Sequence, residues 1–309
     1  MSMKEAVQPK RSRVRAYLEL MRPANIVTAL ADILAGFAAS GAVSLLGTQT
    51  GANLLPSLMW LLLSTAGLYG GGVVLNDYFD AALDATERPE RPIPSGRVSR
   101  RNAGILGAIL LLIGIAAAAM VSMLSAGIAF AIALWVVTYD IYGKHHSILG
   151  PVNMGMCRGG NLLLGVSAVP VMVGQLWFLA ILPVLYIAAV TTVSRGEVHG
   201  GQRRTVIVSL VFVVLVIIGL LGLGVIPEYE IIRAVPFLLV FTIAVVPAFI
   251  QAAVDPQAGH IRAAVKRGVI SLILMDATLA AGFGGWVIGL VTAVLLVFSI
   301  LLAKAFAVT

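Results

Sequence analysis

Ten apolar runs, most of them close to the length of a membrane-spanning helix, follow one another along this 309-residue sequence. A helix of about 20 apolar residues crosses the hydrocarbon core of a bilayer, where irregular backbone cannot satisfy its hydrogen bonds. Apolar residues make up 60% of the chain and its mean hydropathy is +1.00, so lipid is its main solvent. The sequence therefore predicts an all-α polytopic transmembrane helical bundle, forming a single membrane-embedded domain over 1–309 with a basic N-terminal segment at 1–19.

The predicted spans number ten, or nine if the last two runs are misread. They lie near 20–42, 55–75, 103–121, 126–142, 151–173, 176–193, 205–226, 232–254, 268–283 and 286–306. The polar N-terminus has no short apolar region followed by a small-residue cleavage site, so we expect no removable signal peptide. The single cysteine, Cys157, excludes an internal disulfide and a four-cysteine metal site, and we expect it to serve in packing.

Basic residues cluster in alternate loops of this layout. They are Lys4, Lys10, Arg11, Arg13 and Arg15 before span one; Arg88, Arg91, Arg97, Arg100 and Arg101 after span two; Lys144 after span four; Arg195, Arg203 and Arg204 after span six; and Arg262, Lys266 and Arg267 after span eight. The intervening loops at 43–54, 122–125 and 174–175 carry no charge. Because Lys and Arg beside spans stay in the cytoplasm, the pattern predicts a cytoplasmic N-terminus. Anionic lipid headgroups account for the net charge of +7 without a nucleic-acid partner.

A weak internal repeat is also visible. The segment RPAN, Arg22 to Asn25, opens the first span, and RGGN, Arg158 to Asn161, opens the fifth. The match suggests a duplicated four-helix unit. The loop after span two would then correspond to the loop after span six, which contains SRGEVHGG at 194–201.

Three aspartates end the second span and enter the loop that follows. Asp77, Asp80 and Asp84 fall within about 60° of one another on a helix. Like charges at this spacing repel one another unless a cation lies among them, and Mg²⁺ is the usual cation for oxygen ligands. A solvated helix end balanced by the arginines that follow explains the charge pattern equally well.

The same segment carries a specific resemblance. The pattern N-D-x-x-D-x-x-x-D followed by ERPERPIPSGRVS resembles the first aspartate-rich motif of the UbiA superfamily of intramembrane prenyltransferases, and it is filled here by Asn76, Asp77, Asp80 and Asp84. The resemblance extends over most of the chain, through the segments MRPAN at 21–25, YDIYGKHH at 139–146 and NMGMCRGGN at 153–161. It is closest to the UbiA-like EboC group.

The resemblance implies Mg²⁺-dependent transfer of a prenyl group from a prenyl diphosphate to an aromatic or other small or lipid acceptor. The substrate would occupy a cavity open to the cytoplasmic side, where metal and basic residues stabilise the charge on the departing diphosphate. The implied catalytic residues are Asp77, Asp80, Glu197 and Lys144. The implied metal ligands are Asp77, Asp80, Asp84 and Glu197. The implied substrate-binding residues are Arg22, Asn25, Asn76, Arg91, Arg97, Lys144, Arg158 and Asn161.

The second family motif, D-x-x-D-x-E-G-D, is depleted in this chain. Ser194, Glu197, His199 and Gly201 occupy it, so only Glu197 retains a carboxylate. The second metal position is then weaker, completed by phosphate oxygens and water, or absent. His199 is either a ligand or base, or a solvent-exposed loop residue. The depletion leaves open an alternative function as a non-enzymatic prenyl-lipid binding protein or a transporter.

Two acids fall within predicted spans, where charged groups are costly and face a cavity or a partner. Arg22, Asn25 and Asp32 lie within about 80° on one helical face, so we expect Asp32 to face the diphosphate cavity. For Asp276, in the ninth span, we expect an interhelical hydrogen bond.

Overall fold

The computed structural model describes residues 13–49, 51–198 and 200–306, and that part of the chain is helical without strands. Its fourteen α-helices are α1 Arg13–Met21, α2 Pro23–Ala39, α3 Ala42–Leu45, α4 Leu54–Phe79, α5 Ala81–Glu87, α6 Arg100–Ala119, α7 Met123–Ile141, α8 Leu149–Val166, α9 Pro170–Leu176, α10 Ile181–Ser194, α11 Arg203–Gly222, α12 Ile231–Val254, α13 Ala258–Gly284 and α14 Trp286–Ala305. The predicted all-helical fold is confirmed.

Each of the ten predicted spans overlaps mainly with one helix, namely α2, α4, α6, α7, α8, α10, α11, α12, α13 and α14, and the fifth, at 151–173, also reaches into α9. Among the described residues, seven helical segments are long and apolar enough to cross a bilayer, or eight if the bent pair of α1 and α2 is one span. α8 and α13, the fifth and ninth predicted spans, are outside that set and both carry buried charged side chains, Arg158 and Asp276. Length and composition therefore do not confirm the predicted count of nine or ten.

The break between α1 and α2 is set by Arg22 and Pro23. Arg22 adopts a left-handed backbone conformation with φ 48°, which is uncommon for a residue other than glycine. A residue before proline is disfavoured in the right-handed α region, whereas proline suits the first position of a helix. The two helices consequently meet at a bend of 43°, and the Arg22 side chain leaves the chain at the N-terminus of α2.

The second helix, α2, lies in the centre of the bundle, where it contacts α4, α8, α13 and α14. It approaches the backbone of α8 directly: a Cβ atom on Gly36 would lie 2.1 Å from the carbonyl oxygen of Leu162, and one on Gly165 would lie 2.6 Å from that of Ile33. Glycines permit such backbone contact between membrane helices. The two helices that open the suggested repeats are therefore direct neighbours, although the duplication itself stays a prediction.

Candidate active site

A cavity of about 380 Å³ opens among α2, α4, α7, α8, α10 and α13. Its walls are mainly apolar, with Leu68, Val136, Val190 and Leu272 among the lining residues. Polar lining is contributed by Arg22, Asn25, Thr65, Tyr69, Asn76, Tyr139, Asp140, Arg158, Asn161, Thr191 and Ser194. Five of the predicted substrate-binding residues, Arg22, Asn25, Asn76, Arg158 and Asn161, thus line one cavity.

Acidic and basic side chains meet where α4 ends and α2 begins, and we call this group the charged mouth: Asp77, Asp80, Asp84, Arg22, Arg91 and Lys144. Asp77 Oδ1 accepts hydrogen bonds from Arg22 Nη2 at 2.5 Å and from Arg91 Nη1 at 3.3 Å. Arg91 Nη1 also donates to Asp84 Oδ2 at 2.8 Å, and Lys144 Nζ pairs with Asp80. Each acid of the mouth therefore has a cationic partner.

The predicted single stripe of carboxylates is divided in the structure. α4 ends at Phe79 and α5 begins at Ala81, so Asp80 lies at the junction between them. Asp77 and Asp84 share Arg91, whereas Asp80 faces Lys144 from the turn after α7. Angular spacing within one helix does not hold across such a junction.

The structure does not bring the four predicted metal ligands together. In the described part of the chain, no three His, Cys, Asp or Glu side chains are close enough to hold a metal ion. Mg²⁺, however, is usually held by one or two carboxylates together with substrate phosphates and water. Asp77 and Asp80 supply hard oxygen ligands of that kind beside three cationic side chains, so the residues of the mouth fit this metal by their chemistry.

Two predicted residues, Arg97 and Glu197, belong neither to the cavity lining nor to the charged mouth. Arg97 pairs with Glu19 of α1 and donates from Nη2 to the Glu90 carbonyl oxygen at 2.8 Å, so it holds the loop after α5 against α1. Glu197 is half-buried; burial raises the pKa of its carboxyl, while the charges of Arg88 and Arg262 act to lower it. His199 lies outside the described residues.

A buried polar cluster lies between α2 and α8. Arg158 donates from Nη1 to Asp32 Oδ2 at 2.7 Å, and Asn161 Nδ2 donates to the same oxygen at 2.7 Å. Arg158 also donates from Nη2 to Thr28 Oγ1 at 2.5 Å, and Thr65 Oγ1 donates to Asn161 Oδ1 at 2.7 Å. The expectation that Asp32 faces the cavity is wrong: Asp32 is fully buried behind Arg158 and Asn161, which line the cavity in its place.

Asp276 of α13 is the second acid of this region. Its electrostatic neighbours are Asp32 on α2 and Arg158 on α8. Both of its oxygens are buried, and no N–H group of the described residues bonds to them. The interhelical contact expected for Asp276 is therefore with another carboxyl, and two acids face the single guanidinium of Arg158.

Sequence reasoning missed one acid of the cavity wall, Asp140 near the end of α7. Its Oδ1 accepts a hydrogen bond from Asn76 Nδ2 at 3.0 Å, and its side chain is only 3% exposed. The only sequence signal was its place in the segment YDIYGKHH. The aromatic rings of Tyr69 and Tyr139 were also missed. The guanidinium carbon of Arg158 lies over the Tyr69 ring, 5.1 Å from the centroid of that ring.

Comparison with known proteins agrees with this geometry. Residues 34–258 match the UbiA prenyltransferase family. The chain belongs to this family. Among UbiA relatives, the digeranylgeranylglyceryl phosphate synthase of Methanothrix thermoacetophila is 33% identical over 225 residues, covering 66% of this chain and 79% of that enzyme. The synthase of Methanopyrus kandleri is 34% identical over 154 residues, and the match spans 50% of this chain and 53% of that enzyme.

The UbiA fold is also found by structural comparison. A UbiA homologue from Archaeoglobus fulgidus bound to DMAPP and Mg²⁺ superposes with a TM-score of 0.63 at 16% identity, covering 90% of this chain and 99% of that one. This likeness shows the fold. The long apolar helices and the match to the UbiA family show that the chain is an integral multi-pass membrane protein.

Proposed function

We propose that the protein transfers a prenyl group from a prenyl diphosphate to an acceptor molecule within the membrane, in a reaction that depends on Mg²⁺. The observation that carries the proposal is the charged mouth beside an apolar cavity, since a prenyl diphosphate is a polyanion joined to a hydrocarbon chain. The UbiA homologue bound to DMAPP and Mg²⁺ supports the donor class and the metal by analogy.

In this proposal the diphosphate binds at the mouth, where Arg22, Arg91 and Lys144 exchange part of their contact with the acids for phosphate oxygens. Asp77 and Asp80 would hold Mg²⁺, which would supply positive charge against the negative charge that develops on the leaving group. Asp84 and Glu197 complete the proposed ligand set. Glu197 differs from the other three, because its charged neighbours are Arg88 and Arg262 rather than the cations of the charged mouth.

Of the proposed substrate contacts, Asn76, Arg22 and Asn25 lie on the cavity wall where it meets the mouth. Arg158 and Asn161 lie farther along the cavity, and we assign them to the acceptor or to the far end of the prenyl chain. Arg97 contributes indirectly, because its contacts with Glu19 and Glu90 hold the loop that carries Arg91.

The name of the relatives is the basis for the acceptor class that we propose. Their name, digeranylgeranylglyceryl phosphate synthase, denotes a glyceryl phosphate that carries two geranylgeranyl groups. Forming such a product places a prenyl group on a glyceryl hydroxyl, so we propose a hydroxyl-bearing lipid as acceptor for this chain.

A second candidate is a prenyl-lipid binding protein or transporter without catalysis. The depletion of the second aspartate-rich motif favours it. The two functions are distinguished by whether a prenylated product is formed. Purified protein incubated with labelled geranylgeranyl diphosphate and a membrane lipid extract should form a prenylated lipid and release diphosphate with Mg²⁺, and should form neither with EDTA. Donor binding without either product would support the binding protein and contradict the transferase.

The orientation in the membrane is testable by labelling. In a Cys157→Ala background, Ala52→Cys between α3 and α4 should react with an impermeant thiol reagent applied outside intact cells. Glu90→Cys, in the basic loop after α5, should react only after permeabilisation, because basic loops stay in the cytoplasm. Labelling of both positions from outside would overturn the cytoplasmic placement of the N-terminus and the mouth.

A further inference from the structure

The proposed transfer leaves one acid of the cavity without a role. Among the residues that the structure describes, Asp140 is the only Asp or Glu that lines the cavity. It belongs to the last turn of α7, where its side chain is 3% exposed. The acids of the charged mouth, by contrast, lie outside the cavity lining.

The hydrogen bonds of Asp140 are incomplete. Its Oδ1 accepts from Asn76 Nδ2 at 3.0 Å, which fixes the plane of the carboxyl group. Its Oδ2 is buried and has no hydrogen-bond partner in the described part of the chain. A buried oxygen without a partner loses its hydration without compensation, so its presence requires an explanation.

The surroundings of Asp140 do not supply the missing donor. The charged and titratable groups that act on it are Asp77 of α4, Asp80 at the junction of α4 and α5, Lys144 of the turn after α7, Cys157 of α8 and the adjacent Tyr139. Lys144 is paired with Asp80, and Cys157 Sγ points to Asn153 Oδ1 at 3.8 Å. An O–H group of a bound molecule would provide the donor that the protein lacks.

We infer that Asp140 is the general base that removes the hydroxyl proton of the acceptor. The inference rests on the proposed prenyl transfer. In that step the bond between the prenyl carbon and the diphosphate oxygen breaks, and diphosphate leaves with the electron pair. A lone pair of the acceptor oxygen forms the new carbon–oxygen bond, and the proton of that oxygen passes to Asp140 Oδ2.

This role distinguishes Asp140 from the mouth carboxylates. Asp77 and Asp80 are held by cations that a diphosphate would engage, whereas in the described part of the chain the side chain of Asp140 has one hydrogen-bond partner, the neutral amide of Asn76. A hydroxyl acceptor also fits better than an arene that reacts at carbon, because a C–H group would leave Oδ2 without a strong donor.

The test uses the full chain with geranylgeranyl diphosphate as donor, and geranylgeranylglyceryl phosphate or a membrane lipid extract as acceptor. Asp140→Asn keeps an oxygen for Asn76 and removes the base, so kcat should fall about 10²–10⁴-fold. The KM for donor and the Mg²⁺-dependent binding of donor should not change. Asp140→Glu should recover part of kcat, and Asp255→Asn, at an exposed acid after α12, should match the native chain.

Each other outcome has a distinct meaning. Full turnover by Asp140→Asn would overturn the inference and leave the transferase intact. Loss of Mg²⁺-dependent donor binding in this variant would also overturn it, because Asp140 would then act with the mouth. Failure of the native chain to form product with either acceptor would contradict the proposed function itself.

Discussion

Asp77→Asn should reduce Mg²⁺-dependent binding of a prenyl diphosphate at least about 100-fold, because it removes a hard anionic ligand while keeping the side-chain shape. Asp77 is the most connected acid of the mouth, with Arg22 and Arg91 bound to one of its oxygens. The measurement is donor binding to purified protein in detergent, by calorimetry, with Mg²⁺ and with EDTA. Asp80→Asn should behave in the same way.

The control for this prediction is Glu87→Gln, which neutralises an exposed acid of the neighbouring helix α5. It should bind the donor as the native chain does. If Asp77→Asn retained native Mg²⁺-dependent binding, the acids would be no more than a helix end balanced by arginines. Thermal unfolding of each variant separates loss of the site from loss of the fold.

The double variant Asp32→Asn with Asp276→Asn should destabilise the protein by about 3–5 kcal/mol, because it leaves the buried Arg158 without a negative partner. Each single variant should cost far less. Two acids face this guanidinium, so one carboxylate suffices to neutralise it when the other is replaced.

The readout is a double-mutant cycle on the thermal or denaturant unfolding of the protein in detergent. The native chain, both single variants and the double variant are compared, and the two effects should be strongly non-additive. Additive small losses would show that Asp276 does not share in the neutralisation of Arg158. Asp255→Asn again serves as the control, since Asp255 is exposed and pairs with His260.

The helices themselves could be predicted from the sequence because bilayer thickness fixes the length of an apolar run. Their ends could not. The second predicted span stopped at residue 75, where the apolar run ends, whereas α4 continues through a polar last turn to Phe79. The ninth began at residue 268, whereas α13 begins at Ala258 and carries Arg262, Lys266 and Arg267 before its apolar part. Hydropathy locates the lipid boundary and not the helix boundary.

The site could be predicted in part. The residues that the motifs implied for substrate binding line one cavity in five cases, Arg22, Asn25, Asn76, Arg158 and Asn161, and their role in binding stays a prediction. The burial of Asp32 could not be foreseen. Asp32 shares a helical face with Arg22, which lines the cavity, but Arg158 of another helix lies between Asp32 and the cavity. Asp140 carried no periodic signal, since its importance comes from a buried oxygen without a partner on a residue that lines the cavity.

The structure of the protein with Mg²⁺ and a non-reactive prenyl diphosphate analogue tests the central claim most directly. We predict that the metal binds between the diphosphate and Asp77 or Asp80, that Arg91 and Lys144 contact phosphate oxygens, and that the prenyl chain lies along Val136 and Leu272. A diphosphate bound elsewhere, with the ion pairs of Asp77 and Asp80 unchanged, would contradict the account.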